Sequence, residues 1–218
     1  MKTKKMIISS LLIATATILS LIKVFELPFG GTITIASMSP IIILSYIYGT
    51  KWGLFSAFVY SLIQLICGVG SGIVSIMFLP GEEQMLLWQA ISICILDYLF
   101  AYLVLGFGGI LKNKLKSSTL EIILGSIIAI TLCWSMHTLS GFIFYGSWAE
   151  WFFSDSTGLS QIAFTKPFCD FVITHISGNG LALFYSIVYN GAYMIPEMIL
   201  TAITTPIAYQ TIKRSKLL

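Results

Sequence analysis

Charged residues are scarce in this sequence: only 10% of its 218 residues are Asp, Glu, Lys or Arg, whereas 57% are hydrophobic. A soluble domain needs more polar residues than this to cover its surface, so the composition excludes an ordinary soluble protein. Lipid is therefore expected to solvate much of the surface. The length suits a single membrane domain over 1–218, with no room for a separate soluble module.

The chain also lacks the short motifs of several enzyme and metal-binding classes. It contains no G-x-x-x-x-G-K-[ST] phosphate loop, no H-E-x-x-H zinc motif and no G-x-S-x-G nucleophile elbow. Its four cysteines are far apart and form no C-x-x-C pair, so neither a disulfide framework nor a metal site is expected. The internal repeat that many secondary transporters carry is absent as well.

Six apolar stretches are candidates to cross a bilayer core of ~30 Å, which needs roughly 20 residues of helix. They are 6–24, 33–49, 53–70, 85–110, 119–145 and 181–211. The second and third are so close together that they predict a tight helical hairpin. Residues 71–80 are too short to span and are expected at the outer interface, and 146–180 form a long outer loop. The sequence thus predicts an all-α integral membrane protein, a bundle of six transmembrane helices.

The basic residues fall mostly on one side of this six-span plan. Ten of the twelve share a side: Lys2, Lys4, Lys5, Lys51, Lys112, Lys114, Lys116, Lys213, Arg214 and Lys216. The opposite side carries most of the acidic residues: Glu26, Glu82, Glu83, Glu150, Asp155 and Asp170. Because basic loops remain in the cytoplasm, the pattern predicts a multi-pass cell-membrane protein with both termini inside. A cleaved signal peptide is the alternative for the first span, but the run 6–24 is long for one and no cleavage site stands out.

One carboxylate, Asp97, lies in the middle of an apolar span. An ionisable group in that position is costly unless it has a partner, and the spans contain no Lys or Arg that could pair with it. Two interpretations are open. Asp97 is either a structural residue, protonated or bonded to another helix, or a ligand contact whose counter-charge is delivered by a cationic ligand. The missing internal cation favours the second.

Two further helices carry polar residues at helical spacing. His137, Gly141 and Tyr145 share one face, with Ser140 beside them, and Gly141 leaves room for a flat group or for a close helix. An isolated histidine could also simply bond across helices.

The last span adds an aromatic and amide face, formed by Tyr185, Tyr189, Asn190 and Tyr193. Tyr185 could equally belong to an interfacial aromatic belt, whereas Asn190 is deeper. Together these residues suggest a pocket toward the outer leaflet that suits a small flat cation.

Five segments in order resemble those of the thiamine-specific S components (ThiT/YuaJ family) of energy-coupling factor (ECF) transporters. They are GGTITIASMSP (30–40), YGTKWG (48–53), LDYLFAY (96–102), HTLSGFIFYGS (137–147) and YSIVYNGAYMIPE (185–197). The resemblance implies a six-helix bundle of the ECF S-component type. It also implies a binding subunit that takes thiamine from outside as substrate, with no cofactor and no enzymatic activity of its own.

The resemblance also assigns ligand contacts. Asp97 stands where the family has an acidic residue that touches the ligand, and His137 matches the histidine that packs against it. Tyr145 falls where a relative has a stacking tryptophan. The full set of expected ligand contacts is Asp97, Tyr98, His137, Tyr145, Tyr185, Asn190 and Trp88. Trp88 is included as a stacking tryptophan because it precedes Asp97 on the same span.

The implied partners are an ECF transmembrane coupling subunit and two cytoplasmic ATPase subunits. Ser10 and Ala14 correspond to the small residues of the first helix that meet the coupling subunit in the family. Small residues at this spacing permit close helix approach, which is physically sensible for such a contact. The lipid bilayer surrounds the chain, and no nucleic-acid partner is expected.

The outer loop 146–180 is longer than the resemblance leads us to expect. Its aromatic residues suit either an amphipathic helix on the membrane or a lid over the site. Its notable residues are Trp148, Trp151, Phe152, Phe153, Pro167 and His175.

Three rivals to the thiamine interpretation are considered. The first is an S component for another flat heterocyclic vitamin or a thiamine precursor. The second is a stand-alone proton-coupled carrier in which Asp97 and His137 form the relay. The third, a membrane enzyme, is disfavoured because no recognisable nucleophile or metal set is present.

Overall fold

The structure, a computed structural model, describes residues 2–27, 31–154, 159–162 and 164–215. Three residues used in the sequence analysis lie outside these ranges: Gly30 of the first resembling segment, Asp155 of the outer loop and Lys216 of the terminal basic cluster. Everything that follows concerns the described ranges.

Six helical segments build a bundle. They are α1 (Lys2–Leu21), α2 (Ser39–Tyr48), α3 (Thr50–Gly70), α4 (Leu87–Gly109), α5 (Ser118–Phe144) and α8 (Gly178–Arg214). Four of them, α1, α3, α4 and α5, are long and apolar enough to cross a membrane. Helix α8 is longer, at 37 residues, but its inner face carries tyrosine, asparagine and glutamate side chains that lower its hydropathy. Helix α5 packs extensively against both α4 and α8.

The second predicted span, 33–49, is wrong at its beginning. Residues 32–34 form a strand, β2 (Thr32–Thr34), which pairs antiparallel with β1 (Lys23–Glu26). Helix α2 begins only at Ser39 and has ten residues, because Pro40 in its first turn favours a helix start there. The first span correspondingly ends at Leu21 and not at 24. A short β-ribbon therefore has to be added to the all-helical prediction.

The outer loop 146–180 contains short helices. These are α6 (Ala149–Ser154) and α7 (Lys166–His175), with single 3-10 turns at Gly146–Trp148 and Leu159–Gln161. A further 3-10 turn, Ser75–Met77, lies in the segment 71–80 between α3 and α4. All of these elements belong to the same end of the bundle, because they connect the ends of α3, α4, α5 and α8 that are remote from the chain termini.

The opposite end of the bundle, which we call the basic end, gathers both chain termini and two short turns. The Lys5 Nζ lies 3.9 Å from the centre of the Trp52 ring, which brings the start of α1 to the α2–α3 turn. Lys112 Nζ donates to the Ile47 carbonyl at 2.5 Å, which adds the α4–α5 turn. The Tyr46 and Tyr209 rings lie 5.1 Å apart, which adds the C-terminal part of α8.

A buried glutamate organises the basic end. Glu121, in the first turn of α5, is 3% exposed. Its Oε1 accepts the backbone N–H groups of Lys114 and Leu115 at 2.7 and 2.9 Å, and its Oε2 accepts the Tyr46 hydroxyl at 2.6 Å. A carboxylate is also favourable at a helix N-terminus, where the unpaired N–H groups point. Glu121 thus ties α2, the α4–α5 turn and α5 together.

Replacing this carboxylate should destabilise the fold. We expect Glu121→Ala to lower the free energy of unfolding by about 1–2 kcal/mol, because the buried Tyr46 hydroxyl and two partly buried backbone N–H groups lose their acceptor. Unfolding of the detergent-solubilised protein by a denaturing detergent, followed by tryptophan fluorescence, measures the effect. The control is Glu150→Ala at an exposed position, with an expected change within about 0.5 kcal/mol. Equal losses in both variants would refute the role given to Glu121.

Candidate ligand-binding cavity

A cavity of about 130 Å³ lies between α4, α5 and α8, toward the end opposite the basic end. Six of the seven residues expected from the sequence to contact a ligand line it: Asp97, Tyr98, His137, Tyr145, Tyr185 and Asn190. These side chains are far apart in sequence, on three helices. The bundle brings them to one place.

Asp97 occupies an unusual helical turn. Residues Cys94–Phe100 of α4 are π-helical, a wider turn that is rare and often found at functional sites. The Asp97 side chain is 20% exposed, toward the cavity. Its Oδ2 accepts the Ser140 hydroxyl at 2.6 Å, and its Oδ1 lies 2.9 Å from His137 Nδ1. The carboxylate therefore faces the cavity and at the same time joins α4 to α5.

This geometry modifies the argument that the spans contain no cation that could pair with Asp97. The imidazole of His137 is within ion-pair distance and balances the carboxylate whenever it carries a second proton. The two roles left open by the sequence, a bond between helices and a ligand contact, are both compatible with this position. The sequence contained the signal, since Ser140 and His137 are three residues apart on one helix face.

Tyrosine rings form most of the cavity wall. Six line it: Tyr98, Tyr102, Tyr145, Tyr185, Tyr189 and Tyr193. The His137 ring lies between two of them, with centroid distances of 6.3 Å to Tyr102 and 6.1 Å to Tyr193. Ring faces attract cations and stack on flat heterocycles. The wall is thus suited to a flat, positively charged molecule.

Asn190 lines the cavity, and its amide group has hydrogen-bond partners within the protein. Its Nδ2 donates to the Ser186 carbonyl at 2.8 Å, and its Oδ1 accepts the Tyr193 hydroxyl at 2.7 Å. The same Nδ2 also lies 3.4 Å from the His137 carbonyl. Asn190 therefore holds Tyr193 and the α5–α8 contact in place, and its role as a ligand contact stays a prediction.

Gly141 serves close helix packing. A side chain there would collide with the Ser186 hydroxyl, which donates to the Thr138 carbonyl at 2.8 Å. Of the two sequence-based interpretations of Gly141, room for a flat ligand or room for a close helix, the structure supports the second. Helices α5 and α8 approach each other here because Gly141 has no side chain.

Trp88 is the one predicted contact that does not line the cavity. Its side chain is 58% exposed and lies against Phe144, with ring centroids 5.9 Å apart. Nine residues separate it from Asp97, which at about 100° per residue puts the two on opposite faces of α4. The expectation that Trp88 stacks on the ligand is therefore corrected.

The outer loop packs on the aromatic face of α8. The Phe152 ring of α6 lies 5.2 Å from the Tyr185 ring and 6.0 Å from the Tyr189 ring, and Phe153 is fully buried. Helix α7 turns Cys169 and Val172 inward and leaves Phe168 and Phe171 exposed. The described part of the loop thus contains an amphipathic helix, α7, and packs α6 against two tyrosines that line the cavity, whereas its roles as a lid or on the membrane stay predictions.

Several cavity residues were absent from the sequence-based set of contacts. They are Gly31, Ile73, Met77, Ile93, Tyr102, Gly141, Ser186, Tyr189 and Tyr193. The sequence did indicate Tyr189 and Tyr193, since they share the helical face of Asn190. The sequence did not indicate Ile73 and Met77, because nothing in the short segment 71–80 shows that it folds over the cavity.

Known proteins match the chain over most of its length. The model of the family Thia_YuaJ, described as thiamine transporter protein, matches residues 6–156. The chain belongs to this family of thiamine transporter proteins. It is accordingly a multi-span membrane transport protein and not an enzyme, as the sequence predicted.

Two relatives of this Thia_YuaJ protein agree with that assignment. The thiamine transporter ThiT of Bacillus subtilis is 24% identical over 216 residues, which cover 94% of this chain and 90% of the relative. A solved structure of ThiT from Listeria monocytogenes superposes with a TM-score of 0.65 at 18% identity, covering 98% of this chain and 97% of that one. The shared fold confirms the predicted class, an all-α membrane bundle of the S-component type.

The close contact between Gly141 and the Ser186 hydroxyl can be tested by adding a methyl group on one side and removing the hydroxyl on the other. We expect Gly141→Ala to lower the melting temperature of this Thia_YuaJ protein by several degrees, because the added methyl group displaces the Ser186 hydroxyl. In the double variant with Ser186→Ala the hydroxyl is gone, so part of the loss should be recovered. Thermal unfolding of all four proteins in the double-mutant cycle gives the coupling, and strictly additive losses would contradict the proposed contact.

Proposed function

We propose that the chain is the thiamine-binding S component of an ECF-type importer, which captures thiamine from outside the cell. The observation that carries the proposal is the Asp97–His137 pair, 2.9 Å apart, in a cavity walled by six tyrosines. Thiamine combines a flat aminopyrimidine with a cationic thiazolium ring. Aromatic rings stack on such heterocycles, and a carboxylate stabilises the charge and accepts from the amino group.

Five of the predicted contacts that line the cavity have a role in this proposal. Asp97 is the anionic contact, and His137 orients it and presents a ring face to the ligand. Tyr98 on α4, Tyr145 at the end of α5 and Tyr185 on α8 supply stacking surface. Family membership and the similarity to ThiT of Bacillus subtilis support thiamine as the ligand over another flat vitamin.

Energy for uptake would come from partners: an ECF transmembrane coupling subunit and two cytoplasmic ATPases. This chain has no phosphate-binding loop of its own. Ser10 and Ala14 are exposed on α1, on the side away from the buried residues Leu12, Ile13 and Ala16. Two small residues one turn apart let another helix approach closely, so this face is the proposed coupling contact.

The proposed orientation of the chain in the membrane rests on the position of its basic residues. Lys5 and Lys112 lie there together with both chain termini, and basic residues favour the cytoplasmic side. We therefore propose that 1–218 forms one domain in the cell membrane with both termini in the cytoplasm. The cavity then lies toward the outer surface, where an imported vitamin arrives.

The ligand role of the carboxylate–imidazole pair is tested by substitution. Asp97→Asn and His137→Ala should each weaken thiamine binding at least tenfold, since a hydrogen bond to a charged group contributes about 1.5–3 kcal/mol. Isothermal titration on purified protein measures the affinity, and circular dichroism checks that each variant is folded. Asp170→Asn, at an exposed position of α7, is the control and should bind normally. Unchanged affinity in both cavity variants would eliminate the site.

Coupling is tested separately from binding. Ser10→Leu and Ala14→Leu should leave thiamine affinity unchanged but prevent co-purification of the coupling subunit and ATPases, because the added side chains block helix contact. Ser135→Leu, a matched substitution at an exposed position of α5, should retain the partners. Retention of the complex in both α1 variants would move the coupling contact elsewhere.

One observation favours a second function, a stand-alone proton-coupled carrier. The Asp97–His137 pair connects two helices beside a cavity, which is an arrangement suited to a proton relay. Uptake of thiamine by vesicles that contain this chain alone, driven by a pH gradient and without ATPases, would support the carrier. No uptake under those conditions, together with tight binding, favours the S component.

A further inference from the structure

A second, more polar cavity adjoins the first. It has a volume of about 70 Å³, several times what a single water needs. Tyr102, His137 and Tyr193 line both cavities, so these three side chains form part of the wall between them. The remaining lining residues are Ser20, Thr32, Thr34, Ser37, Met38, Gln64, Met194 and Glu197.

Glu197 is the acidic group of this second cavity and is 1% exposed. Its Oε2 accepts the Thr34 backbone N–H at 3.0 Å, and its Oε1 accepts the Thr34 hydroxyl at 2.5 Å. Both carboxylate oxygens thus have a neutral donor. Among the described residues, no Lys or Arg lines either cavity.

The groups that face Glu197 from the surrounding elements are almost all uncharged. Helix α1 contributes Ser20, the segment after β2 contributes Ser37, and α3 contributes Gln64, whose Nε2 donates to Ser20 at 2.9 Å. Apart from tyrosines, the one titratable neighbour in the lining is His137 on α5, which is already bonded to Asp97. A protonated imidazole carries one positive charge, so it can balance the negative charge of one carboxylate only.

The carboxylates of the two cavities therefore differ in their charge balance. Asp97 has an imidazole partner and is neutralised as a pair when that imidazole is protonated. Glu197 has hydrogen-bond donors but no basic partner, and a buried charge without compensation is unfavourable. A cation in the neighbouring cavity would supply that compensation.

We propose that Glu197, acting from the second cavity, is a specificity determinant that favours a cationic ligand over an uncharged molecule of the same shape. This inference rests on the proposed thiamine-binding function. Asn190 and Glu197 are seven residues apart on α8, which is two helical turns and about 10 Å. At an effective dielectric constant of about 20, attraction between unit charges over that distance changes affinity by roughly tenfold.

The test compares two ligands on one set of variants. The first ligand is thiamine, and the second is its uncharged isostere in which a thiophene ring replaces the thiazolium. In Glu197→Gln we expect thiamine affinity to fall about tenfold while affinity for the isostere changes less than twofold. Glu82→Gln, at an exposed position, is the control and should leave both affinities unchanged.

A purely structural role for Glu197 makes a different prediction. If its bonds to Thr34 only hold the β2 segment in place, Glu197→Gln weakens both ligands equally, and so does Thr34→Val, which removes the hydroxyl but keeps the carboxylate. Under the proposal, Thr34→Val retains the preference for thiamine. Equal loss of both ligands in Glu197→Gln, or no loss, overturns the proposal.

A gain-of-charge variant keeps the inference testable should Glu197→Gln fail to fold. Gln64→Lys places a cation in the same cavity, where it can balance the charge of Glu197, and should reduce the preference for thiamine over the isostere. An unchanged preference would overturn the proposal. If the unmodified protein binds neither ligand, the proposed function itself fails, which is a separate result from normal binding without charge selectivity.

Discussion

The contact among Asp97, His137 and Ser140 is the interaction on which the cavity depends. It joins α4 to α5 through a carboxylate that would be unfavourable in an apolar bundle without partners. The π-helical turn around Asp97 widens α4 at this point. One interaction thereby accounts for the meeting of two helices, the orientation of the imidazole and an anionic group beside the cavity.

Helix α8 forms the other side of the cavity with a continuous polar face. Asn190 accepts a hydrogen bond from the Tyr193 hydroxyl. Glu197, one turn after Tyr193, binds Thr34 of β2. The outward residues of the same helix, among them Ile187, Ile195 and Ile203, are exposed and apolar, as lipid contact requires. The helix thus separates an exposed apolar side from a side that faces the cavities.

The sequence anticipated those features that follow from local chemistry. Scarce charge, long apolar runs and clustered basic residues predicted a helical membrane bundle, and the isolated Asp97 and His137 marked the candidate site. Family resemblance added thiamine as the expected substrate. Boundaries were less accurate where a short segment departs from helix, since β2 is formed by pairing with β1 and hydropathy alone does not reveal that pairing.

What the sequence determined by itself was therefore the class of protein and the residues whose presence in lipid demands an explanation. The tertiary structure alone decided their partners: that Asp97 pairs with His137, that the Asn190 amide is already occupied, that Trp88 points away and that Glu197 borders a second cavity. The physical reason is that hydropathy and helical period fix which face of one helix is polar, whereas hydrogen bonds between helices depend on how the helices rotate and approach each other.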